Sequence, residues 1–126
     1  MAIESLVVFF PCSDIEKTLN FYTDTVGLKL AQSQGGGKAI ILDTGCGLLG
    51  FCQYDDGRPI PSGELSPCVS FNCEDEEDVD RQFERLKSAG AEILQPPMRH
   101  AQFPVYSCFF RDPDGYKIEF QKILRE

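Results

Sequence analysis

The chain contains one pattern twice, as VVFFPCSD over residues 7–14 and as CVSFNCED over residues 68–75. The matching residues keep a constant offset of 61: Val8 with Val69, Phe10 with Phe71, Cys12 with Cys73, and Asp14 with Asp75. Each copy places an apolar, strand-like run directly before an acidic residue that can begin a helix. Self-similarity at half the chain length predicts two copies of one β-α-β-β-β unit.

The sequence around the first copy predicts a strand, a helix and a meander. Residues 3–12 form an apolar run rich in β-branched and aromatic residues, which is typical of a strand buried on both faces. Residues 13–16 have the S-x-x-E form of a capping box, and apolar residues then recur at helical spacing up to Gly27. Short β-like stretches follow at residues 28–31, 38–42 and 48–54.

The second copy repeats this order after a connection rich in proline and glycine, residues 55–67. A strand over residues 68–73 precedes a helix that begins after the N-cap candidate Asp75 and ends at Ala89-Gly90. Further strands are predicted at residues 92–94, 105–111 and 116–124, with a loop at 95–104 and a turn at 112–115. We predict a single domain, 1–126, made of two repeats, about 1–57 and 64–126.

Composition limits the classes of partner. The chain has 126 residues, 42% of them hydrophobic, which suits one compact domain. Its net charge of −8 disfavours nucleic acid and anionic membranes, and no apolar run is long enough to span a bilayer. The six cysteines include no C-x-x-C pair and the N-terminus has no secretory pattern, so we expect free thiols and a cytoplasmic protein.

Strand alternation predicts which side chains face away from the helices. A sheet covered on one face by a single helix leaves its other face to bury or bind something. Alternation places three sets of side chains there: Val7, Phe9 and Pro11; Cys68, Ser70 and Asn72; Lys117, Glu119 and Gln121. This mixture predicts an apolar cleft with a few polar groups, as small-molecule sites have, in which Phe9 and Tyr106 stack on a flat ligand. Glu119 would serve there as a general base or bind a cationic or amide group.

Three stretches resemble the vicinal oxygen chelate superfamily, which includes glyoxalase I, bleomycin resistance proteins and extradiol dioxygenases. They are SDIEKTLNFY at 13–22, VGL at 26–28 and DPDGYKIEF at 112–120. The resemblance implies an α+β fold in which two βαβββ modules form a cupped, partly open mixed sheet with helices on its outer face. It also implies a concave pocket, a homodimer, and a divalent metal held by up to four residues.

The family's metal ligands carry over to this sequence only in part. Glu119 matches the acidic ligand of the closing strand. Val7 and Cys68 stand where members with a metal have histidine, and the first module's closing strand has Gly50 or Phe51 in place of its acid. We therefore expect no metal. If one were bound, its ligands would be Glu119, Cys68 and His100.

Taken together, these residues predict a small-molecule-binding protein with a degenerate metal site. The ligand is expected to be a small organic molecule, bound by Val7, Phe9, Cys68, Ser70, Tyr106, Lys117, Gln121 and Arg99. One alternative is a metal-dependent lyase or isomerase resembling glyoxalase I. The other is a metal-free enzyme in which Glu119 abstracts a proton from a bound carbonyl compound.

Overall fold

The computed structural model describes residues 2–63 and 66–124. The chain divides into two compact units, Met1–Ile60 and Pro61–Glu126, which we call the first and second modules. Each module has a four-stranded mixed sheet and one helix, in the order β-α-β-β-β. The predicted α+β class and the paired βαβββ architecture are therefore confirmed.

The first module pairs its strands in the order β1-β4-β3-β2. Strands β1 and β4 are parallel, and the other neighbours are antiparallel. Its elements are β1 (Val7–Pro11), α1 (Ile15–Asn20), β2 (Lys29–Gln34), β3 (Ala39–Asp43) and β4 (Leu48–Cys52). A π-helical segment, Phe21–Val26, continues α1, and Gly27 ends it with φ of 96°, a left-handed conformation that glycine adopts without steric cost.

The N-terminus of α1 differs in detail from the predicted capping box. Asp14, not Ser13, is the N-cap, because its side chain accepts hydrogen bonds from the backbone N–H groups of Glu16 and Lys17. The N–H of Ile15 donates to Oε1 of Gln53, 2.9 Å away, just beyond β4. The start of the helix is thus tied to the end of the closing strand.

The first strand is shorter and more exposed than the sequence predicted. Pairing begins at Val7, and Leu6 is 73% exposed. Because β1 lies at the edge of its sheet, Val8 and Phe9 also remain partly exposed. The expectation of a strand buried on both faces is wrong for β1: its apolar run reflects an edge strand next to the core, not a central strand.

The second module repeats the topology with the order β5-β8-β7-β6. Its elements are β5 (Cys68–Asn72), α2 (Glu76–Ser88), β6 (Glu92–Arg99), β7 (Val105–Arg111) and β8 (Lys117–Ile123). As predicted, Asp75 caps α2, accepting a hydrogen bond of 2.7 Å from the N–H of Asp78. The predicted loop at 95–104 is wrong over residues 95–99, which continue β6. Pro96 and Pro97 fit there because β6 is an edge strand whose register shifts between Gln95 and Met98.

Both cores lie between the helix and one face of the sheet. In the first module the ring of Phe51 stacks on Tyr22, with centroids 4.6 Å apart. In the second, Phe120 stacks on Phe71 at 5.4 Å, and Phe110 packs against Phe83 of α2 at 5.7 Å. Within the described residues, no helix is both long and apolar enough to cross a membrane.

Candidate functional site

The strand registers align the two modules residue by residue. In the second module, β5 and β8 place Ser70 opposite Glu119. In the first, β1 and β4 place Phe9 opposite Gly50. Since Phe9 and Ser70 are counterparts in the repeat, Gly50 is the counterpart of Glu119. The sequence left Gly50 and Phe51 as alternatives for this position, and the register decides for Gly50.

A tight turn fixes the position of Glu119. Oδ1 of Asp112 accepts hydrogen bonds of 2.9 Å from the N–H groups of Asp114 and Tyr116, and Gly115 adopts a left-handed φ of 89°. This turn joins β7 to β8 so that Phe109 lies opposite Glu119. The neighbours of Glu119 in β8, Ile118 and Phe120, are buried with the core. By alternation, Glu119 lies on the face of the sheet away from α2, which we call the helix-free face.

The carboxylate of Glu119 is held by one hydroxyl group. Ser70 donates from Oγ to Oε1 of Glu119 over 2.6 Å, a charge-assisted bond. Glu119 is only 8% exposed, and among residues 2–63 and 66–124 its side chain makes no other hydrogen bond or ion pair. One carboxylate oxygen is therefore engaged, while the other, Oε2, keeps its capacity to accept a proton or a hydrogen bond.

Cys68 continues this line of side chains along β5. Its Sγ lies 3.6 Å from Oγ of Ser70. Partial burial raises the pKa of the Cys68 thiol, against a smaller lowering by the hydrogen bond with Ser70. The thiol therefore stays protonated at neutral pH, which makes it a weak nucleophile.

The helix-free face of the second module combines further polar side chains with apolar ones, such as Phe109 opposite Glu119. Gln121 donates from Nε2 to Oδ1 of Asn72 over 3.0 Å. Arg111 forms an ion pair of 3.1 Å with Glu92, whereas Lys117 is exposed and has no ion pair within the described part of the chain. The predicted residues Cys68, Ser70, Lys117, Glu119 and Gln121 are thus brought together on one face.

The helix-free face of the first module is apolar at the corresponding positions. A Cβ atom added to Gly50 would lie 2.5 Å from Cδ1 of Phe9, so the phenylalanine ring rests directly on the glycine. The ring occupies the volume that a carboxylate side chain would need. Strands β1, β3 and β4 also place Val7, Pro11, Ala39, Ile41, Leu48, Cys52 and the charged Asp43 on this face. The edge strand β2 adds the polar side chains of Lys29, Gln32 and Gln34.

Two predicted ligand-binding residues lie on the opposite face of the second sheet. Tyr106 donates from its hydroxyl to Oδ1 of Asp80 in α2 over 2.6 Å, and Arg99 forms a 3.0 Å ion pair with Glu76. The structure corrects their expected placement beside Glu119, because alternation along β7 and β6 directs both side chains towards the helix. The hydrogen bond to Asp80 raises the pKa of Tyr106 to about 12.

The sequence profile of the Glyoxalase/Bleomycin resistance protein/Dioxygenase superfamily matches residues 5–120 of this chain. The chain belongs to this superfamily. A glutathione transferase, FosA, of Serratia marcescens is 30% identical over 109 residues, which cover 85% of this chain and 72% of the relative.

Other members of the superfamily are similarly distant. A lactoylglutathione lyase of Neisseria meningitidis serogroup A is 27% identical over 117 residues, covering 85% of this chain and 81% of the relative. Among solved structures, TioX from Micromonospora sp. ML1 superimposes with a TM-score of 0.77 at 25% identity, covering 96% of this chain and 99% of that one. These relatives support the family and the fold. The chemistry of this chain follows from its own residues.

The divalent metal implied by the family resemblance does not fit the donor atoms present. Such an ion needs three or more converging donors from His, Cys, Asp or Glu. Within the part of the chain that the structure describes, no group of three such residues could hold a metal ion. Nδ1 of His100 accepts hydrogen bonds from the N–H groups of Gln102 and Phe103, so its ring is engaged in its own loop. The alternative ligand set of Glu119, Cys68 and His100 is therefore not assembled.

One polar residue on this face was not among the predicted site residues. Ser107 lies opposite Gln121 in the β7–β8 pairing, on the same face as Glu119. Alternation alone could have suggested it, because Tyr106 and Cys108 flank it on the other face. Placing Tyr106 on the helix-free face assigned Ser107, its neighbour in β7, to the opposite face.

Proposed function

We propose that the protein binds a small organic molecule on the helix-free face of the second module, without a metal ion. The observation that carries this proposal is the Ser70–Glu119 pair: a carboxylate that is 92% buried, with one oxygen fixed by a hydroxyl and the other uncommitted. Exposed Lys117 and the Gln121–Asn72 amide pair lie beside it. A few fixed polar groups among apolar ones are the usual composition of a small-molecule site.

The ligand is expected to carry a cationic or N–H group towards Glu119. A buried carboxylate is stabilised by a hydrogen-bond donor or a positive charge, and Oε2 of Glu119 has neither in the described structure. The net charge of −8 also favours cationic molecules at longer range. For a flat ligand we also propose stacking on the partly exposed ring of Phe9, on the helix-free face of the first module.

A thermal-shift screen tests the proposal. Small aromatic amines and amides should raise the melting temperature of the native protein, since a ligand that binds only the folded state stabilises it. Glu119→Gln keeps the size of the side chain and one oxygen that can accept from Ser70 but removes the charge, and should abolish stabilisation by the amines. Glu84→Gln, the same change at an exposed position of α2 on the other side of the sheet, is the matched control and should leave it intact. If no such compound stabilises the native protein, the proposal fails.

The same screen, run with metal, tests the metal-dependent alternative. Protein purified without chelator should contain substoichiometric Zn, Ni and Mn, and added metal should leave its melting temperature unchanged. A stoichiometric metal content that falls in Glu119→Gln would contradict the proposal and favour the lyase or isomerase.

A metal-free enzyme is the second candidate, and the asymmetric engagement of Glu119 favours it. With Oε1 fixed by Ser70, Oε2 is the oxygen that could take a proton from a bound carbonyl compound. Glu119→Gln distinguishes the two functions. A binding protein loses affinity for cationic ligands, whereas an enzyme keeps affinity for a neutral substrate and loses turnover.

We also propose that the protein is a cytoplasmic homodimer. All six cysteines are described and none forms a disulfide, which suits the reducing cytoplasm. We expect a homodimer, which size-exclusion chromatography with light scattering would detect as twice the mass of 14.1 kDa.

A further inference from the structure

Ser107 has a buried hydroxyl group with no partner. The residue is 0% exposed, and its Oγ is one of two buried side-chain polar atoms, with Oγ1 of Thr18, that have no hydrogen-bond partner among the described residues. Leaving such a group unpaired destabilises the folded state, and buried hydroxyls in folded proteins are nearly always bonded. An orphan hydroxyl beside a proposed binding site therefore points to a missing partner.

The position of Ser107 relates it to Glu119. The β7–β8 register places Ser107 opposite Gln121, and Phe109 opposite Glu119. Ser107 and Glu119 are therefore diagonal neighbours on one face of an antiparallel pair, with side chains about 7–8 Å apart. Their strand neighbours Cys108 and Phe120 are buried on the opposite face, in the core.

A weakly held side chain lies next to Ser107. Gln95 donates from Nε2 to the backbone carbonyl of Ser107 over 3.5 Å, near the limit for a hydrogen bond. On the other side, Gln121 is oriented by its bond to Asn72, which leaves Oε1 of Gln121 as an acceptor. A ligand group that reaches this position would meet one hydroxyl donor, Ser107, and one amide acceptor, Gln121, beside a Gln95 side chain that is only weakly held.

We propose that Ser107 and Gln121 form a neutral hydrogen-bonding subsite next to Glu119, which takes a primary amide or hydroxyl group of the ligand. This inference rests on the proposed binding function and specifies its ligand. The ligand carries a cationic amine for Glu119 and, one diagonal step away, a carboxamide whose oxygen accepts from Ser107 and whose N–H donates to Gln121. The site therefore selects ligands in which a rigid spacer holds the amine and the carboxamide at this distance.

Two probes separate the subsite from the carboxylate. 4-(Aminomethyl)benzamide carries an amine and an amide at opposite ends of a ring, and benzylamine carries the amine alone. Titrations followed by NMR of the full chain should give the amide probe the higher affinity, by about 3- to 10-fold, as expected for a net hydrogen bond. Ser107→Ala should remove this advantage and leave benzylamine binding unchanged, whereas Glu119→Gln should weaken both probes.

Each result decides the question. Equal affinities of the two probes for the native protein, or an equal effect of Ser107→Ala on both, would overturn the subsite while the proposed function stands. Binding of other amines but not of the amide probe would also overturn it. If neither probe nor any other amine binds, the proposed function fails as well.

The stability of Ser107→Ala gives a second, independent measurement. Removal of an unpaired buried hydroxyl should leave the urea midpoint of the unliganded protein unchanged or raise it. A lowered midpoint would mean that the hydroxyl is satisfied within the protein, and this result would overturn the proposal. Ser33→Ala, on an exposed strand position of the first module, controls for the substitution itself.

Discussion

The two modules are alike on one face of their sheets and unlike on the other. Towards the helix, Phe51 and Phe120 are counterparts: both are buried and both stack on an aromatic ring. On the helix-free face, the Phe9–Gly50 pair of the first module stands where the second has the Ser70–Glu119 pair. The difference extends along the strands, because Pro11, Cys52 and Ala39 in the first module correspond to Asn72, Gln121 and Ser107 in the second.

This difference separates the demands of folding from those of the site. The helix-facing side chains must fill a close-packed core, so both repeats keep bulky apolar residues there. The helix-free faces carry no helix and are available for recognition. In the second module this face carries polar groups around the carboxylate of Glu119. In the first module the ring of Phe9 fills the corresponding volume, and the position of the acid is taken by Gly50.

The largest expected effect concerns the helix-facing side of the two sheets, where the modules are alike. Phe51→Ala and Phe120→Ala should each destabilise the protein by about 3–5 kcal/mol, because each leaves a cavity in a core. Urea denaturation measures the loss, and Ile123→Ala, 55% exposed, should cost far less. A small effect at either phenylalanine would mean that the two cores are not equivalent.

The second prediction tests the close contact of Phe9 with Gly50. Gly50→Ala should cost about 1–3 kcal/mol, since the added methyl group would enter the ring of Phe9. In a Phe9→Ala background the same substitution should cost much less. A double-mutant cycle by urea denaturation measures this coupling. Additive effects would show that the glycine is not required by the ring.

The third prediction concerns the polar counterpart of that contact. Ser70→Ala removes the hydroxyl that donates to Glu119 and should cost about 1–2 kcal/mol, because the buried carboxylate loses its donor. Ser70→Thr keeps a hydroxyl and should restore most of the loss. Equal stability of native protein and Ser70→Ala would indicate that water replaces Ser70 without cost.

The smallest effect concerns a contact on the helix side of the second sheet. The hydrogen bond with Asp80 raises the pKa of Tyr106 to about 12 from the usual 10. Because the folded-state pKa is the higher one, the stabilisation is complete below pH 10 and is lost as the pH rises from 10 to 12. Absorbance at alkaline pH, with Tyr106→Phe as the reference, reports the titration. Asp80→Asn should lower the pKa towards 10, and an unchanged value would exclude Asp80 as the cause.

Much of the fold was predictable because it depends on local sequence patterns. The repeat at an offset of 61, the two acidic residues that cap the helices and the turn at 112–115 each depend on neighbours in the chain. The wrong predictions concern β1 and β6, which are edge strands of their sheets. Neither the exposure of β1 nor the prolines accepted within β6 follows from a local pattern, because both depend on which strands end up without a neighbour.

For the site, the sequence by itself determined the residue types: a single acid at Glu119, no histidine at Val7 or Cys68, and polar residues at alternate positions of β5 and β8. Only the tertiary structure decided which of them meet. Pairing of distant strands placed Ser70 against Glu119 and Phe9 on Gly50, and directed Tyr106 to the helix. The physical reason is register: a shift by one residue moves every side chain of a strand to the other face, and register is fixed by contacts between segments far apart in sequence.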